Sequence, residues 1–482
     1  MVLISFIIFL LLFVAIGALS ALQSSKTSQD YLLAGQSVKP WLTALSAVAT
    51  NNSGYMFIGQ IGFTYMYGLH SAWLMIGWIF GDFISSLFVH KNLRVKTEEN
   101  KVKSFASAIS SWSGEDFKYL RIIGGIVTIL FLGTYAAAQF NAGGKALHVL
   151  FGWDYTTGAV IGSVIVLVYC LAGGIRASIW TDAAQSFVMF GAMTLMVFTA
   201  VQEVGGFNAF IEALHNVAPG YMNVLPPENG MGPFFGPGLF ILGWFMAGVG
   251  VIGQPHIMVR FMAMDKPEDL TRTRIYYYGW YTTFAALTIG AALAARLLIP
   301  EVSDFDAELA LPSLAHILLP EVLVGLVLAG LFAATMSTAD SQVLSCTAAI
   351  TNDVAPNTFK SYRSNKMATV LVTAVALGIV FMGNDSVFSL VLIAWSALAA
   401  AFGPLLIVYA LGQQPSQKLA LSMLFGGMAG MLVWRLTGLN SIMYEVAPGV
   451  ISGLAIFVIA KLLSNPGKMD DAEDTKSGAV AS

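Results

Sequence analysis

The segment 333-AATMSTADSQVLS-345 places one carboxylate and five hydroxyls inside an otherwise apolar run that begins near Val322. At about 3.6 residues per turn, Ala334, Ser337, Thr338 and Ser341 share one helix face, with Asp340 beside them. That face offers oxygen ligands and no positive partner. A carboxylate at mid-membrane depth costs roughly 2.5–3.5 kcal/mol on insertion scales, so it is kept where something charged visits it. Hard oxygens in this density suit a small cation. Any single Ser or Thr here is accounted for by a bond to the carbonyl four residues back, and Asp340 alone by snorkelling or protonation. The cluster as a whole points to an ion.

The rest of the chain supplies the membrane. Of 482 residues, 57% are hydrophobic and only 11% charged, far below the roughly 25% of a soluble domain, and the mean hydropathy is +0.74. Apolar runs of about 20 residues predict spanning helices, and no train of alternating ten-residue segments predicts a barrel. The net charge of −3 gives no support for nucleic-acid binding. Cys170 and Cys346 lie in apolar runs without metal spacing, and the six histidines are scattered singly, so neither a disulfide framework nor a metal enzyme is expected.

Thirteen spans are expected, at about 2–22, 38–62, 69–90, 119–144, 156–173, 182–202, 236–254, 276–297, 322–347, 367–383, 387–411, 418–436 and 446–463. The first lacks a basic start and is too long for a signal peptide, so it reads as a retained helix. With the N-terminus outside and the C-terminus inside, 21 of the 24 Lys and Arg fall on the cytoplasmic side, leaving Lys145, Arg296 and Arg435 outside. Residues 205–235 read as an outer loop with a short surface helix, and 464–482 as a disordered cytoplasmic tail behind a single transmembrane domain, 1–463.

Two spans are interrupted. In the second, Thr50-Asn51-Asn52-Ser53-Gly54 puts five poor helix formers near mid-depth. In the seventh, Gly248, Gly250, Gly253, Gln254 and Pro255 break the helix. Backbone groups freed at that depth need partners, and paired interruptions in corresponding chain halves mark a transporter's central site. Each break opens a block of five spans. The run Gly248 to Gly253 also spells G-x-G-x-x-G, but no strand precedes it, so dinucleotide binding is excluded. Glycosylation at Asn51 or Asn52 is excluded by their depth.

Three other ionisable residues stand near spans. Asp182 reads as a first-turn acid of the sixth span, favoured by the helix dipole. Asp82, in GWIFGDFISS, suits capping, packing or a pathway role equally. Arg260 reads as a cytoplasmic anchor.

Five segments, YLLAGQSVKPWLTALSAVATNNSGY (31–55), NLRVKTEEN (92–100), GGIRASIWTDAAQ (173–185), GQPHIMVRFMA (253–263) and MSTADSQVL (336–344), together resemble the sodium/solute symporter family, most closely its sodium/proline branch. The resemblance implies an all-α polytopic fold of about thirteen helices around an inverted five-plus-five repeat, with core repeats at about 38–202 and 236–411. It implies a sodium site from backbone oxygens of Ala49, Asn52 and Ala334 and the hydroxyls of Ser337 and Thr338. A second sodium, present in some members, maps onto Asp182, Ser337, Asp340 and Ser341. The solute is expected near Asn51, Ser53, Gly54, Ala247, Val251, Gln254 and Pro255. The chain departs from the proline pattern at Asn51 (an aspartate there), Gln36 (an arginine) and Ala247 and Val251 (a Trp and a Tyr).

The expected activity is sodium-coupled import of a small organic solute, an amino acid such as proline, by alternating access in the cell membrane, with lipid as surroundings and neither an enzyme activity nor an obligate protein partner. The alternatives are another solute on the same scaffold (an organic acid or a sugar), proton coupling through Asp340 or Asp182, and a membrane solute sensor, which would need an attached signalling domain.

Overall fold

The computed structural model describes residues 1–300, 302–383 and 386–464, and these are helical apart from turns, loops and one isolated bridge between Val38 and Met264. All but the first residue of the expected tail lies outside the described residues. The helices are α1 (Val2–Ser20), α2 (Ser28–Leu33), α3 (Pro40–Phe57), α4 (Gly59–Tyr67), α5 (Ala72–Glu99), α6 (Phe105–Ser110), α7 (Lys118–Phe151), α8 (Tyr155–Gly173), α9 (Ile175–Glu203) and α10 (Phe207–His215). They continue as α11 (Gly232–Val249), α12 (Pro255–Met262), α13 (Leu270–Leu298), α14 (Ala310–Leu318), α15 (Glu321–Ala348), α16 (Tyr362–Val380), α17 (Val387–Ala410), α18 (Gln417–Leu436) and α19 (Val446–Ser464).

Among the described residues twelve helices, some extended by a short adjoining turn, are long and apolar enough to cross a membrane. The second expected span, 38–62, is built from α3 and α4 in tandem, neither of which is so alone. The segment 205–235, expected to lie outside, carries the short helix α10. The sixth span differs from expectation: α9 starts at Ile175, not 182, so Asp182 lies two turns inside the helix and is no first-turn acid. Ser178 and Thr181 made that opening look polar, but both are fully buried against protein. The helix can begin there because Gly174 turns with φ 59°, and a Cβ on it would lie 2.3 Å from the Tyr31 carbonyl oxygen.

Burial sorts the bundle. The most apolar windows of α15 and α17 are 83% buried, against 22% for α1, so α15 and α17 form the centre and α1 the rim. On α1 the buried residues Phe6, Leu10, Phe13, Gly17 and Ser20 recur every three or four positions, a narrow seam whose other faces suit lipid. The helices α5 and α11 cross at backbone contact: a Cβ on Gly81 would lie 2.0 Å from the Phe245 oxygen, and one on Gly248 2.0 Å from the Trp78 oxygen.

One end of the bundle is sealed. Arg176 pairs with Asp30 at 2.5 Å and Lys39 with Asp265 at 3.0 Å. Val38 exchanges backbone hydrogen bonds with Ala263 and Asp265, and Arg94 donates to the carbonyls of Met264 and Asp265. At the other end a vestibule of about 510 Å³ is lined by Phe63, Tyr67, Phe240, Trp244, Phe388 and Tyr444, among others. The helix α5 joins the two ends: His70, just before it, lines the vestibule, while Arg94, near its end, belongs to the seal.

Candidate functional site

Both expected breaks are present and each is clamped by one partner helix. In α3 the helical path is interrupted at Ser53, a non-glycine residue at φ 52°, ψ −179°. The Gly54 amide that this frees is taken by Gln139 Oε1 of α7 at 2.9 Å, and the Tyr55 amide by Ser53 Oγ at 3.0 Å. In the second break α11 ends at Val249, Gly250–Gly253 form a 3₁₀ turn, Gln254 is extended, and Pro255 opens α12 where its missing N–H costs nothing. Here α17 does the clamping: Trp395 Nε1 donates to the Ala247 carbonyl at 3.1 Å, and Gln254 Nε2 donates to the Trp395 carbonyl at 3.0 Å.

The α15 face meets the first break. Ser337 Oγ lies 3.1 Å from the Ala334 carbonyl oxygen and 3.4 Å from that of Ala49. Thr338 Oγ1 lies 3.1 Å from the Ala334 oxygen and 3.0 Å from that of Thr50. Ala49, Ala334, Ser337 and Thr338 are thus brought together, and Thr50, which sequence reasoning missed, joins them. Asn52 is fully buried; its side chain donates to the Val48 carbonyl at 2.8 Å and leaves its own Oδ1 without a partner. Carbonyl and hydroxyl oxygens gathered in this way have the chemistry of an alkali-ion site.

A second cluster lies on the same helix, and it overturns the expectation for Arg260. That residue is fully buried, at no interface. Its Nη2 donates to Ser178 Oγ at 2.7 Å, to Asp182 Oδ2 at 3.1 Å and to Ser341 Oγ, while Asp340 Oδ1 stands at 3.8 Å. Its Nε faces Ser46 Oγ and its Nη1 the His256 carbonyl. The helix α12 follows immediately on the second break and turns Arg260 inward, so a position that looked like a membrane anchor became the internal cation of two carboxylates. Asp182, Asp340 and Ser341 are therefore together, around a guanidinium. Asp182 Oδ1 and Asp340 Oδ2 remain buried without partners.

The expected solute residues are all buried between the two breaks: Asn51 is 4% exposed, and Ser53, Ala247, Val251 and Gln254 are at 0%. Gly54 and Pro255 are buried with them. Although positions 247 and 251 carry no aromatic ring, the wall is aromatic. Trp395 bonds Ala247, Trp78 packs 4.5 Å from Trp395, and Tyr55 lies 6.0 Å from Trp78. Trp78 and Trp395 come from α5 and α17, remote in sequence from either break, while Tyr55 follows the first break on α3. Gln36, at the sealed end, donates weakly to the Met262 carbonyl at 3.3 Å.

The model of the sodium:solute symporter family matches residues 31–427. The high-affinity proline transporter PutP of Bacillus subtilis is 30% identical over 465 residues, covering 93% of this chain and 96% of that protein. This chain belongs to the sodium:solute symporter family. The sodium/proline symporter of Escherichia coli is likewise 30% identical over 496 residues, 99% of this chain and 96% of the relative. Among solved structures, a sodium-coupled sialic acid symporter in a substrate-bound, outward-open state superposes with a TM-score of 0.82 at 16% identity, over 96% of this chain and 97% of that one. A transporter of the nucleobase-cation-symport-1 family, Mhp1, superposes at 0.56, with 16% identity, over 92% and 95% of the two chains. These likenesses fix the fold as the inverted-repeat transporter architecture. The symporter is a multi-pass protein of the plasma membrane that co-transports sodium.

Proposed function

We propose that this symporter imports an amino acid, with L-proline as the first candidate, and that its driving sodium binds among Ala49, Asn52, Ala334, Ser337 and Thr338. The observation that carries the reading is the pair of α15 hydroxyls lying against carbonyl oxygens of the broken helix. A sodium ion there ties α15 to α3 and stabilises the arrangement in which the break is formed. Because the solute residues Asn51, Ser53 and Gly54 belong to the same break, ion binding orders the solute site, which is the differential affinity that coupling requires. Each sodium entering down a membrane potential contributes about 2.3 kcal/mol per 100 mV.

The sealed end with Arg176, Lys39 and Arg94 is read as cytoplasmic, following the basic bias of the loops, and the vestibule as facing outward. The seal must then open for release. At the second position the residues suit a cation only through Asp182 Oδ1 and Asp340 Oδ2, since Ser341 is engaged by Arg260. Two carboxylates against one guanidinium leave one unit of negative charge there for a second sodium.

The test is sodium-dependent uptake of radiolabelled proline by purified protein in proteoliposomes. Ser337→Ala and Thr338→Ala are expected to raise the half-saturating sodium concentration more than they lower the maximal rate. An unchanged sodium dependence in both variants would remove the site from this face.

A further inference from the structure

Outside the proposed ion clusters, two fully buried carboxylates, Asp82 and Asp353, take part in no ion pair among the described residues; Asp353 is met by the Ser104 and Ser107 hydroxyls and by the nearby charge of Arg121, whereas Asp82 lies beside both breaks. Asp82, in the middle of α5, is fully buried and takes part in no ion pair among the described residues. Its Oδ2 accepts from the Tyr277 hydroxyl at 2.9 Å, and that same hydroxyl accepts from Asn51 Nδ2 at 2.6 Å. A hydrogen-bonded chain thus runs from a carboxylate on α5, through α13, to the broken stretch of α3. Asp82 also flanks the second break, because its amide sits at the close crossing of α5 with Gly248 of α11. Three polar groups along this seam are buried with no partner: Asp82 Oδ1, Asn51 Oδ1 and the Trp78 indole N–H. The Tyr278 hydroxyl faces the carboxylate too, but closes no hydrogen bond. Arg274, one turn from these tyrosines, gives its donors to Ser86 instead.

An unpaired buried carboxylate is retained at a cost unless a cation meets it during the working cycle. The proposed sodium ligands gather where α15 meets α3, and none of the hydrogen bonds that join them involves Asp82. The remaining visitor is the solute. We infer that Asp82 is the counter-charge for a cationic nitrogen on the transported solute, held through its free oxygen, with Asn51 and Tyr277 orienting the carboxylate and the solute against the Trp78 and Trp395 rings. The solute class is then an ammonium-bearing one, amino acids and amines, to the exclusion of sugars and simple organic acids. This rests on the symport reading above but not on proline being the solute.

The experiment compares wild type, Asp82→Asn and Tyr277→Phe in proteoliposomes, using a panel of amino acids, amines, organic acids and sugars. The panel includes L-proline and tetrahydro-2-furoate, which has a ring oxygen where proline has its nitrogen. Radiolabelled sodium binding without solute reports whether each variant is folded. In wild type the sodium-driven solutes are expected to carry a basic nitrogen. In Asp82→Asn their affinity should fall about thirtyfold or more, and discrimination against the uncharged analogue should collapse, with sodium binding little changed. Uptake of another amine in place of proline corrects the proposed solute and supports Asp82. A solute without cationic nitrogen, or undiminished discrimination in Asp82→Asn, overturns the inference and leaves sodium symport standing. Sodium-independent proton flux that Asp82→Asn abolishes also overturns it, making Asp82 a proton carrier. A wild type that moves none of the panel overturns both readings, and its specificity is read without any substitution.

Discussion

Arg260 shows how one side chain redefines its surroundings. Two carboxylates and three hydroxyls of three helices are arranged around a guanidinium that is itself fully buried, so each partner depends on the others. Removing one member of such a group leaves charge uncompensated in a dry interior, which costs about 3–5 kcal/mol. Arg260→Met is therefore expected to lower the unfolding midpoint of the detergent-solubilised protein sharply. Arg260→Lys should recover part of that loss, because it restores the charge but not the forked geometry. If Arg260→Met proved as stable as wild type, the buried cluster would be wrongly drawn. None of this was legible locally. A basic residue just past a helix break looks like a membrane anchor, and its partners Asp182 and Ser341 are 78 and 81 residues away. Asp182 misled for a related reason: its hydrophilic neighbours face protein, so polarity did not mark a helix end.

Among elements, the two broken helices were the most readable feature, because clustered Asn, Ser, Gly and Pro in a spanning run has few structural uses. What the sequence did not reveal was the clamps. Gln139 and Trp395 sit on ordinary-looking spans, and only the fold places one opposite each break. The same holds for the aromatic wall, whose loss from Ala247 and Val251 was visible while its replacement from α5 and α17 was not. Gln139→Leu leaves the Gly54 amide buried without an acceptor, a penalty of about 1–3 kcal/mol confined to the α3 break. The expected consequence is a weakened affinity for both sodium and solute, measured as binding, with a smaller change in overall melting. An effect on melting alone would mean that the clamp supports packing and not the site.

For the whole molecule, the contrast between a sealed end and an open vestibule describes one state of an alternating cycle. The vestibule end is braced by Glu308, which accepts from Lys145 Nζ at 2.6 Å, from Ser386 Oγ at 2.6 Å and from the Phe388 amide at 3.1 Å. Burial pushes the Glu308 carboxyl up, yet these bonds and the Lys145 charge outweigh it and hold it below the ordinary value of 4.5. A carboxyl lowered on folding stabilises the protein above its ordinary pKa, and that stabilisation disappears as pH falls through the lowered value. Glu308→Gln should therefore lower stability at neutral pH and leave it nearly unchanged at acid pH, where the carboxyl is protonated in wild type too, so that the acid limb of a stability-versus-pH curve flattens by the amount lost at neutral pH; an unchanged acid limb would mean the brace carries no charge. The bundle, the breaks and the polar face of α15 that meets the first break followed from residue periodicity and composition. The seal did not, because it joins Asp30 to Arg176 and Val38 to Met264 across most of the first repeat and the second break.

The ring column between vestibule and site has an optical consequence. Tyr444 stacks on Trp244 at 4.7 Å, Trp244 on Trp78 at 6.0 Å, and Trp78 meets Trp395 at 4.5 Å. Indoles this close couple their electronic transitions, so the near-ultraviolet circular dichroism of the protein should carry an exciton couplet whose sign and size depend on the angles between them. Since Trp244 borders the vestibule and Trp395 holds the inner break, any movement of one relative to the other rewrites that couplet, giving the transporter a built-in chiral gauge of its own conformational state that needs no attached label.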